Sequence, residues 1–381
     1  MRVIVIGGGI MGLSTALALC RRGHRVTIFE QHSIPNPMGS SVDQHRLIRH
    51  PYGEMSGYAR MIGPAMTAWD QLWTDFGCSY FYKTGTLILA RENLKWAESS
   101  LSDMDAMGIE HMRLSPDQLN RRAPMLKSDG VELAAWVNSG GALLAHDIVR
   151  AMARHLVLKG AAVHTHTPVV DIDTVRASVT LEDGSRVRAD RLVVAAGPWV
   201  RDICSHAQGR VKPSRQLVLY LKPPKIYAEA WNNAPMVLDI HGNGGIYAVP
   251  PVGPTGLKIG DHSFSLKGHP STNTVAKESE ISALFEACRG RLDRLDDYEV
   301  ESGDICFYTV QKDERFILES LDKAILLTGF SGHGFKFGAL MGAVASGVLT
   351  GALTPDEASK LAAGLVVDAA EINRLTTLCL G

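Results

Sequence analysis

The stretch Met1-Arg-Val-Ile-Val-Ile6, followed by Gly7-x-Gly9-x-x-Gly12 and later by Glu30, decides the fold of this chain. The run of Val and Ile is typical of a buried parallel strand. The glycines predict a tight turn in which the backbone approaches a pyrophosphate at a helix N-terminus. Glu30 ends a second apolar strand about 20 residues after the glycines, where an acid accepts the hydroxyls of an adenosine ribose. We therefore predict that Gly7, Gly9, Gly12 and Glu30 bind an adenine dinucleotide.

The composition is typical of a globular protein with almost no net charge. The chain has 381 residues, of which 45% are hydrophobic and 21% are charged. This length favours two domains over one. The balance of 39 basic and 40 acidic residues argues against nucleic acid or an anionic membrane as the main partner. The six cysteines show no Cys-x-x-Cys spacing, so we predict neither a metal site nor a disulfide framework.

The location of the protein is predicted from two stretches. The nucleotide fingerprint begins at the first residue, so we expect no signal peptide and a cytoplasmic protein. The longest uncharged stretch, 337–355, is rich in Gly, Ala and Ser. This composition favours a helix packed closely inside the protein over a membrane anchor.

The later part of the chain favours FAD over NAD as the dinucleotide. From about residue 216 to 310, short alternating strands broken by Pro and Gly indicate an antiparallel sheet separate from the nucleotide domain. A buried strand at 323–328 then leads through a Gly-rich turn into the small-residue helix. We expect no such late unit in an NAD dehydrogenase. In an FAD enzyme, the dipole of that helix stabilises the negative charge on the reduced flavin.

These patterns predict an α/β protein with two domains. The first is a Rossmann-like FAD-binding domain, discontinuous in sequence and made of 1–80, 141–212 and 315–381. The second is an α+β substrate or catalytic domain with a mainly antiparallel sheet, made of 81–140 and 213–314. The sequence further predicts a helix at 116–122 with Ser115 as its cap, an extended segment at 162–173 and a strand at 305–310.

Several motifs resemble those of the monomeric sarcosine oxidase and N-methyltryptophan oxidase family, within the D-amino-acid-oxidase superfamily of flavoproteins. The most specific is Gly329-Phe-Ser-Gly-His-Gly-Phe-Lys-Phe337. The others, besides the fingerprint, are Arg46-Leu-Ile-Arg-His-Pro-Tyr-Gly-Glu54, Lys83-Thr-Gly85, Asn138-Ser-Gly140, Leu257-Lys-Ile-Gly260 with His262, and Cys306-Phe-Tyr-Thr309 with Asp313-Glu314.

The resemblance implies a role for individual residues around the cofactor. By this resemblance, Cys306 carries a covalent bond to the flavin ring, and Gly197 and Gly334 also belong to the cofactor site. Arg46 and Lys258 are similar to the cations beside the flavin. Lys258 resembles the lysine that speeds the reaction with O₂, because a fixed positive charge stabilises a superoxide-like anion.

The same resemblance implies a substrate site. Arg49 and Lys336 would hold a carboxylate, since the Arg fork matches it in two hydrogen bonds and Lys adds a point charge. Four further residues match pocket positions of the family, namely Tyr247, Tyr308, His262 and Gly332. The implied catalytic residues are Lys258, Arg46, His262 and Tyr308, and the implied substrate-binding residues are Arg49, Lys336, Tyr247 and Gly332.

Two stretches depart from the pattern of this family. Typical members carry a His-His-Gly-Asp run just before the residue that matches Arg46, and this chain has Ser41-Val-Asp43-Gln44. The difference predicts altered O₂ kinetics or altered substrate entry. After Tyr247 the chain has Ala248-Val249, where sarcosine oxidase has Gly-Phe. This second difference predicts a changed pocket wall.

The resemblance implies an FAD-dependent amine oxidase. Its substrate would be a small amino acid with an N-methyl or other secondary amine, and its products an imine, which water hydrolyses, and hydrogen peroxide. We expect a monomer whose partners are this amino acid and O₂. Three alternatives stay open. The first is a flavin dehydrogenase or oxidase of the same fold that acts on a primary or cyclic amino acid or a hydroxy acid, with an electron acceptor other than O₂ possible. The second is a non-catalytic flavoprotein subunit, and the third is an NAD dehydrogenase.

Overall fold

The fingerprint folds into a strand, a tight turn, a helix and a second strand. In the computed structural model, which describes residues 1–92, 94–241, 245–261 and 263–380, the strands β1 (Arg2–Ile6) and β2 (Arg25–Phe29) run parallel. Helix α1 (Ile10–Arg21) joins them. The turn requires glycine at Gly7, whose φ is +105°, because other residues rarely adopt this conformation.

Strands and helices follow one another along the rest of the chain. The further strands are β3 (Arg46–Ile48), β4 (Phe81–Lys83), β5 (Thr86–Ala90), β6 (His111–Leu114), β7 (Leu133–Val137), β8 (Gly141–Leu143), β9 (Ala162–His164), β10 (Val169–Asp173), β11 (Ser178–Leu181), β12 (Arg186–Arg188), β13 (Arg191–Val194), β14 (Val211–Lys222), β15 (Met236–Ile240), β16 (Ile246–Val249), β17 (Leu257–Asp261), β18 (Glu299–Gln311), β19 (Ile317–Leu321) and β20 (Ala324–Thr328). The further helices are α2 (Ser56–Phe76), α3 (Leu94–Ala106), α4 (Pro116–Arg122), α5 (Ala145–Leu158), α6 (Val200–Ile203), α7 (Lys225–Asn232), α8 (Glu278–Ala287), α9 (Gly338–Thr350), α10 (Pro355–Ala362) and α11 (Ala369–Leu380).

The first sheet is Rossmann-like and combines distant parts of the chain. Within the described residues its strand order is β19-β20-β13-β1-β2-β9, parallel except for β19 at one edge. Helices α1, α5 and α9 share a hydrophobic core on one face of the sheet. The small antiparallel sheet β10-β11-β12 packs on the other face. Parallel strands covered on both faces explain the continuous apolar runs in the sequence.

The second sheet is larger and mainly antiparallel. Its order in the described residues is β18-β14-β17-β16-β15-β5-β7-β6, and only β15 and β5 pair in parallel. Helices α4, α7 and α8 contribute to the core on one of its faces. A third sheet, β3-β8-β4, carries Arg46 at the start of β3. The predicted fold class, a Rossmann-like sheet with a mainly antiparallel second sheet, is confirmed, whereas the residue bounds of the two domains stay a prediction.

The uncharged stretch near the C-terminus forms the buried helix α9, which crosses α1 closely. A Cβ atom on Gly342 would lie 2.4 Å from the carbonyl carbon of Ser14, so only glycine permits this approach. Among the helices of the described residues, none has the length and apolar character that a membrane span requires.

Two boundaries differ from the sequence predictions for physical reasons. The segment 162–173, expected to be continuously extended, breaks at His166, whose φ is +52°. Strand β9 therefore joins the parallel sheet, while β10 joins the small antiparallel one. Strand β18 begins at Glu299 instead of residue 305, since its exposed polar half is held by pairing with β14 and not by apolar alternation.

Candidate active site

A cavity of about 360 Å³ lies at the carboxyl ends of β1 and β2, beside the N-terminus of α1. The predicted cofactor residues Gly7, Gly9, Glu30, Gly197 and Gly334 all line it. This position is the one where open parallel sheets bind nucleotides, because the strand ends and the helix N-terminus converge there.

The glycines of the fingerprint leave no room for side chains. A Cβ atom on Gly7 would lie 2.3 Å from the carbonyl oxygen of Ala195, and one on Gly12 would lie 2.0 Å from that of Gly7. Gly12 therefore does not line the cavity but lets α1 pack directly against the turn. At Gly9 a Cβ atom would lie 3.1 Å from the Ser41 hydroxyl. Without side chains at Gly7 and Gly9, the backbone of the turn itself lines the cavity, which is the position at which a pyrophosphate would be bound.

Glu30 is buried at the end of β2, and backbone and side-chain donors fix its carboxylate. One oxygen accepts a hydrogen bond from the Gly8 amide at 2.7 Å. The other accepts from the His32 amide and the Asn36 side chain, each at 3.0 Å. The hydroxyl of Thr328, elsewhere in the cavity wall, is buried without a hydrogen-bond partner. The carboxylate of Glu30 and the hydroxyl of Thr328, together with the glycine turn (Gly7, Gly9 and Gly12, here called the glycine cradle), match the polar groups of a dinucleotide.

A second cavity of about 350 Å³ adjoins the first. Arg46, Tyr308, Gly332 and Phe335 line both, so the two form one cleft from the Rossmann turn to the large sheet. The predicted residues Lys258, Arg49, Lys336 and Tyr247 also line the second cavity. The structure thus brings these predicted residues together, whereas His262 lies outside the described residues.

Arg49 and Lys336 both lie over the ring of Tyr52. The guanidinium carbon of Arg49 lies 4.7 Å from the ring centroid, and Nζ of Lys336 lies 5.5 Å from it. Arg49 Nη1 is buried without a hydrogen-bond acceptor. Among the described carboxylates, none lies within ion-pair distance of either cation. Two unpaired cations in one small cavity form a binding site for an anion.

The surroundings of Lys336 disfavour its charge. This side chain is only 5% exposed, and Nζ donates a hydrogen bond to the carbonyl of His333 at 3.1 Å. Burial, with the charges of Arg49 and Arg46, lowers the pKa of Lys336 well below its ordinary value. Burial also lowers the pKa of His333 to about 3, so this imidazole is neutral and bonds through Nε2 to the Glu314 carbonyl.

Arg46 and Lys258 have a different environment, because both contact the carboxylate of Asp43. Arg46 also donates to the carbonyl of Val42 at 2.6 Å, and Lys258 to that of His45 at 3.2 Å. Lys258 is 2% exposed. Burial and the charge of Arg46 lower its pKa, while the carboxylate contact acts in the opposite direction.

Cys306 lies apart from the two cavities that hold the other predicted residues. It is buried in β18 and lines a neighbouring groove together with Asp43. Tyr308, two residues further along, lines both cavities. Since residues i and i+2 of a strand face the same side, Cys306 lies on the same face of β18 as Tyr308.

The sequence did not identify every residue of the second cavity. Tyr52 lay in a quoted motif without an assigned role, and Trp96 comes from α3, which carries no motif. The expectation about Ala248-Val249 is wrong. Neither side chain lines the cavity, because both pack in hydrophobic cores. Strand alternation places Ala248 on the opposite face of the strand from Tyr247. Val249 shares the face of Tyr247 but is fully buried there.

Comparison with known proteins decides the family. The pattern of the family described as FAD dependent oxidoreductase (DAO) matches residues 2–347. The chain belongs to this family. The matched region includes the glycine cradle and the second cavity of this FAD-dependent oxidoreductase, and family membership supports FAD as the cofactor.

Individual relatives of this DAO-family oxidoreductase are distant over nearly its whole length. It is 29% identical over 360 residues to monomeric sarcosine oxidase of Bacillus sp. (strain B-0618), with 90% of each chain covered. It is 28% identical to N-methyl-L-tryptophan oxidase of Citrobacter koseri, with 90% of this chain and 93% of the other covered. The solved structure of L-proline dehydrogenase from P. horikoshii shares its fold with a TM-score of 0.80, at 20% identity and 98% coverage of both chains.

Proposed function

We propose that this chain oxidises the CH–NH bond of a small amino acid that carries a secondary amine, with FAD as cofactor and O₂ as electron acceptor. The observation that carries the proposal is the pair of unpaired cations, Arg49 and Lys336, in the cavity next to the dinucleotide cavity. The names of the two relatives support it, since sarcosine and N-methyl-L-tryptophan are both N-methyl amino acids.

The two cations set the orientation of the substrate. Arg49 offers a buried N–H without an acceptor, which a carboxylate oxygen fills. Lys336 gains a counter-ion that restores its charged form, because a bound carboxylate raises its lowered pKa. Anchoring the carboxylate at this end leaves the carbon and nitrogen of the amino acid toward Arg46 and Tyr308, where the two cavities join.

The cavity also favours the reactive protonation state of the substrate. Positive charge from Arg49 and Lys336 disfavours an ammonium ion and thus lowers the pKa of the bound amine. The rings of Tyr52, Tyr247 and Trp96 in the wall exclude water from the reacting carbon. FAD, when bound, accepts the two electrons that leave the substrate, and O₂ carries them away as hydrogen peroxide. The imine product is hydrolysed by water.

A screen for peroxide tests this function. Purified protein under air is supplied with N-methyl, cyclic and primary amino acids, and peroxide release is measured with a coupled peroxidase. We expect the fastest release with a small N-methyl or other secondary-amine amino acid. Flavin reduction by a primary or cyclic amino acid without peroxide would instead establish the same-fold dehydrogenase. A purified protein without flavin absorption would exclude both.

We also propose that the sulfur of Cys306 is covalently bound to the flavin. Support comes from its position on the same face of β18 as Tyr308, roughly 7 Å further along the strand. We expect the acid-precipitated wild-type protein to stay yellow, and the Cys306→Ala protein to release its flavin to the supernatant. The exposed Cys78 provides the control, since Cys78→Ala is expected to keep the colour. Release of all flavin from the wild-type protein would contradict the proposal. The cytoplasmic location and the monomeric state stay predictions.

A further inference from the structure

Asp43 joins three groups of the active site that come from distant parts of the chain. Its carboxylate contacts Lys258 Nζ and Arg46 Nη1 and accepts a hydrogen bond from the hydroxyl of Tyr220. Only 6% of the Asp43 side chain is exposed. A carboxylate buried between two cations and a hydroxyl is well satisfied, and it cancels one of the two positive charges beside it.

The backbone of Asp43 is held in an unfavourable conformation. Its φ is +145°, a region in which residues other than glycine are strained. It lies in the Ser41-Val-Asp43-Gln44 stretch, which departs from the pattern of similar chains. The neighbouring segment fixes this conformation, because Gln44 N donates to the Asp43 side chain at 2.8 Å and His146 N to its carbonyl at 3.1 Å. Strained residues of this kind cluster at active sites.

Asp43 differs from the other carboxylate near Lys258, Asp304, because Asp43 contacts the lysine directly. Burial and then the charge of Arg46 lower the pKa of Lys258, whereas the charge of Asp304 acts to raise it from beyond contact distance. Asp304 is exposed and bonds to Ser302 at 3.3 Å, so solvent screens its charge. Asp43 alone among the described carboxylates lies within ion-pair distance of Lys258.

We propose that Asp43 balances the charge of Lys258 and Arg46 and thereby slows the reaction of the reduced flavin with O₂. This inference rests on the proposed function only in taking Lys258 as the cation that promotes that reaction. In the reaction, the reduced flavin gives two electrons and O₂ takes them up with two protons, leaving as hydrogen peroxide. A negative charge on Asp43 weakens the positive field that stabilises the anion formed when the first electron reaches O₂.

The test compares Asp43→Asn and Asp43→Gly with the control Asp304→Asn. Asparagine keeps the shape of the side chain without its charge, and glycine suits the positive φ. Each purified holoprotein is reduced with dithionite under anaerobic conditions and mixed with O₂, so no amino-acid substrate is needed. At a pH low enough to keep Lys258 protonated without its carboxylate partner, we expect both Asp43 variants to be reoxidised at least about tenfold faster than wild type, because one contact charge is removed. We expect Asp304→Asn to match wild type within about twofold.

A second readout needs no turnover. The flavin midpoint potential of both Asp43 variants is expected to be more positive by about 30 mV, the equivalent of tenfold for a two-electron couple. In a Lys258→Met background, the effect of Asp43→Asn on the O₂ rate is expected to be smaller than with Lys258 present, since only Arg46 is then left for Asp43 to balance.

Three results would overturn the inference. The first is an unchanged O₂ rate in both Asp43 variants. The second is a slower rate in either of them, which would mean that Asp43 positions Lys258 instead of neutralising it. The third is a tenfold effect of Asp43→Asn that persists without Lys258. None of them depends on which amino acid is the substrate. Failure of the proposed function shows separately, as dithionite-reduced protein that reacts with O₂ although no amino acid reduces it.

Discussion

At the scale of single residues, the four cations of the cleft form two pairs with different electrostatics. Arg46 and Lys258 share the carboxylate of Asp43. Arg49 and Lys336 flank the ring of Tyr52 with no described carboxylate within ion-pair distance. Among the described residues, the protein supplies one carboxylate to the first pair and none to the second, which leaves the second pair to bind an anion. The carboxylate of the substrate therefore belongs at the second pair.

The affinity of that second pair for a carboxylate is expected to depend on pH. Burial, with the charges of Arg49 and Arg46, lowers the pKa of Lys336 in the free protein, and a bound carboxylate raises it. Binding thus takes up a proton at higher pH. The affinity is full below the free-protein pKa and falls as the pH rises through it, well before about pH 10. The dissociation constant of a small carboxylate without an amine, measured by its effect on the flavin spectrum from about pH 6 to about pH 10, tests this.

Lys336→Arg is the matched variant for that experiment. A guanidinium stays protonated over this range, so the pH dependence is expected to disappear in the variant. His333 does not interfere, because its pKa of about 3 lies below the range. The same pH profile in both proteins would assign the titration to another group.

Single residues were predictable where a motif carries them. Lys258, Cys306 and Lys336 stand in stretches with a family pattern, and the structure gives each a position in or beside the cleft. The contact between Asp43 and Lys258 was not predictable, because 215 residues separate the two and no local pattern links them. They meet because the loop before β3, a strand of the third sheet, packs against β14 and β17 of the large sheet.

At the scale of elements, the packing of α9 on α1 holds the dinucleotide turn in place. Gly342 contacts α1 at Ser14, where a Cβ atom would overlap the backbone. In α2, Gly63 has open space around its Cα, with no atom within 4 Å of an added Cβ. The two glycines thus sit in similar helices but in opposite surroundings.

We expect Gly342→Ala to lower the free energy of unfolding by at least about 1–3 kcal/mol, because the helices must move apart. We expect Gly63→Ala to change it by less than about 1 kcal/mol, since the added methyl group meets no other element, while Pro64, the next residue in α2, offsets the helix preference of alanine. Urea unfolding of the two holoproteins measures both values. Equal effects of the two substitutions would contradict the close packing of α1 and α9.

Elements with strong patterns were predictable, and weakly patterned ones were not. Helix α4 begins at Pro116 with Ser115 as its cap, as predicted, and the Ser115 hydroxyl accepts a hydrogen bond from the Gln118 amide at 3.3 Å. The exposed first half of β18 was missed, because its strand form depends on its neighbour β14. Pairing between strands far apart in the sequence leaves no local signal.

At the scale of the whole molecule, the cleft is built where the two large sheets approach each other. The Rossmann-like sheet supplies the glycine turn and Glu30, and the large sheet supplies Lys258, Tyr247 and Tyr308. The loop after β20 carries Lys336 into the gap between them. The sequence predicted both sheets, since each has its own pattern, but not the size of the cavity, which depends on how closely the sheets pack.

The central claim is that this cleft oxidises an amino acid that it holds by the carboxylate. Its most direct test is anaerobic mixing of the purified protein with a small N-methyl amino acid and, separately, with the N-methyl amine that lacks the carboxylate, while flavin absorbance is followed. We predict that the amino acid bleaches the flavin and that admitting air then restores the colour with release of peroxide. We predict that the amine bleaches the flavin at least about a hundredfold more slowly, because its contacts with Arg49 and Lys336 are lost. Equal bleaching by both compounds, or none by any amino acid, would contradict the account.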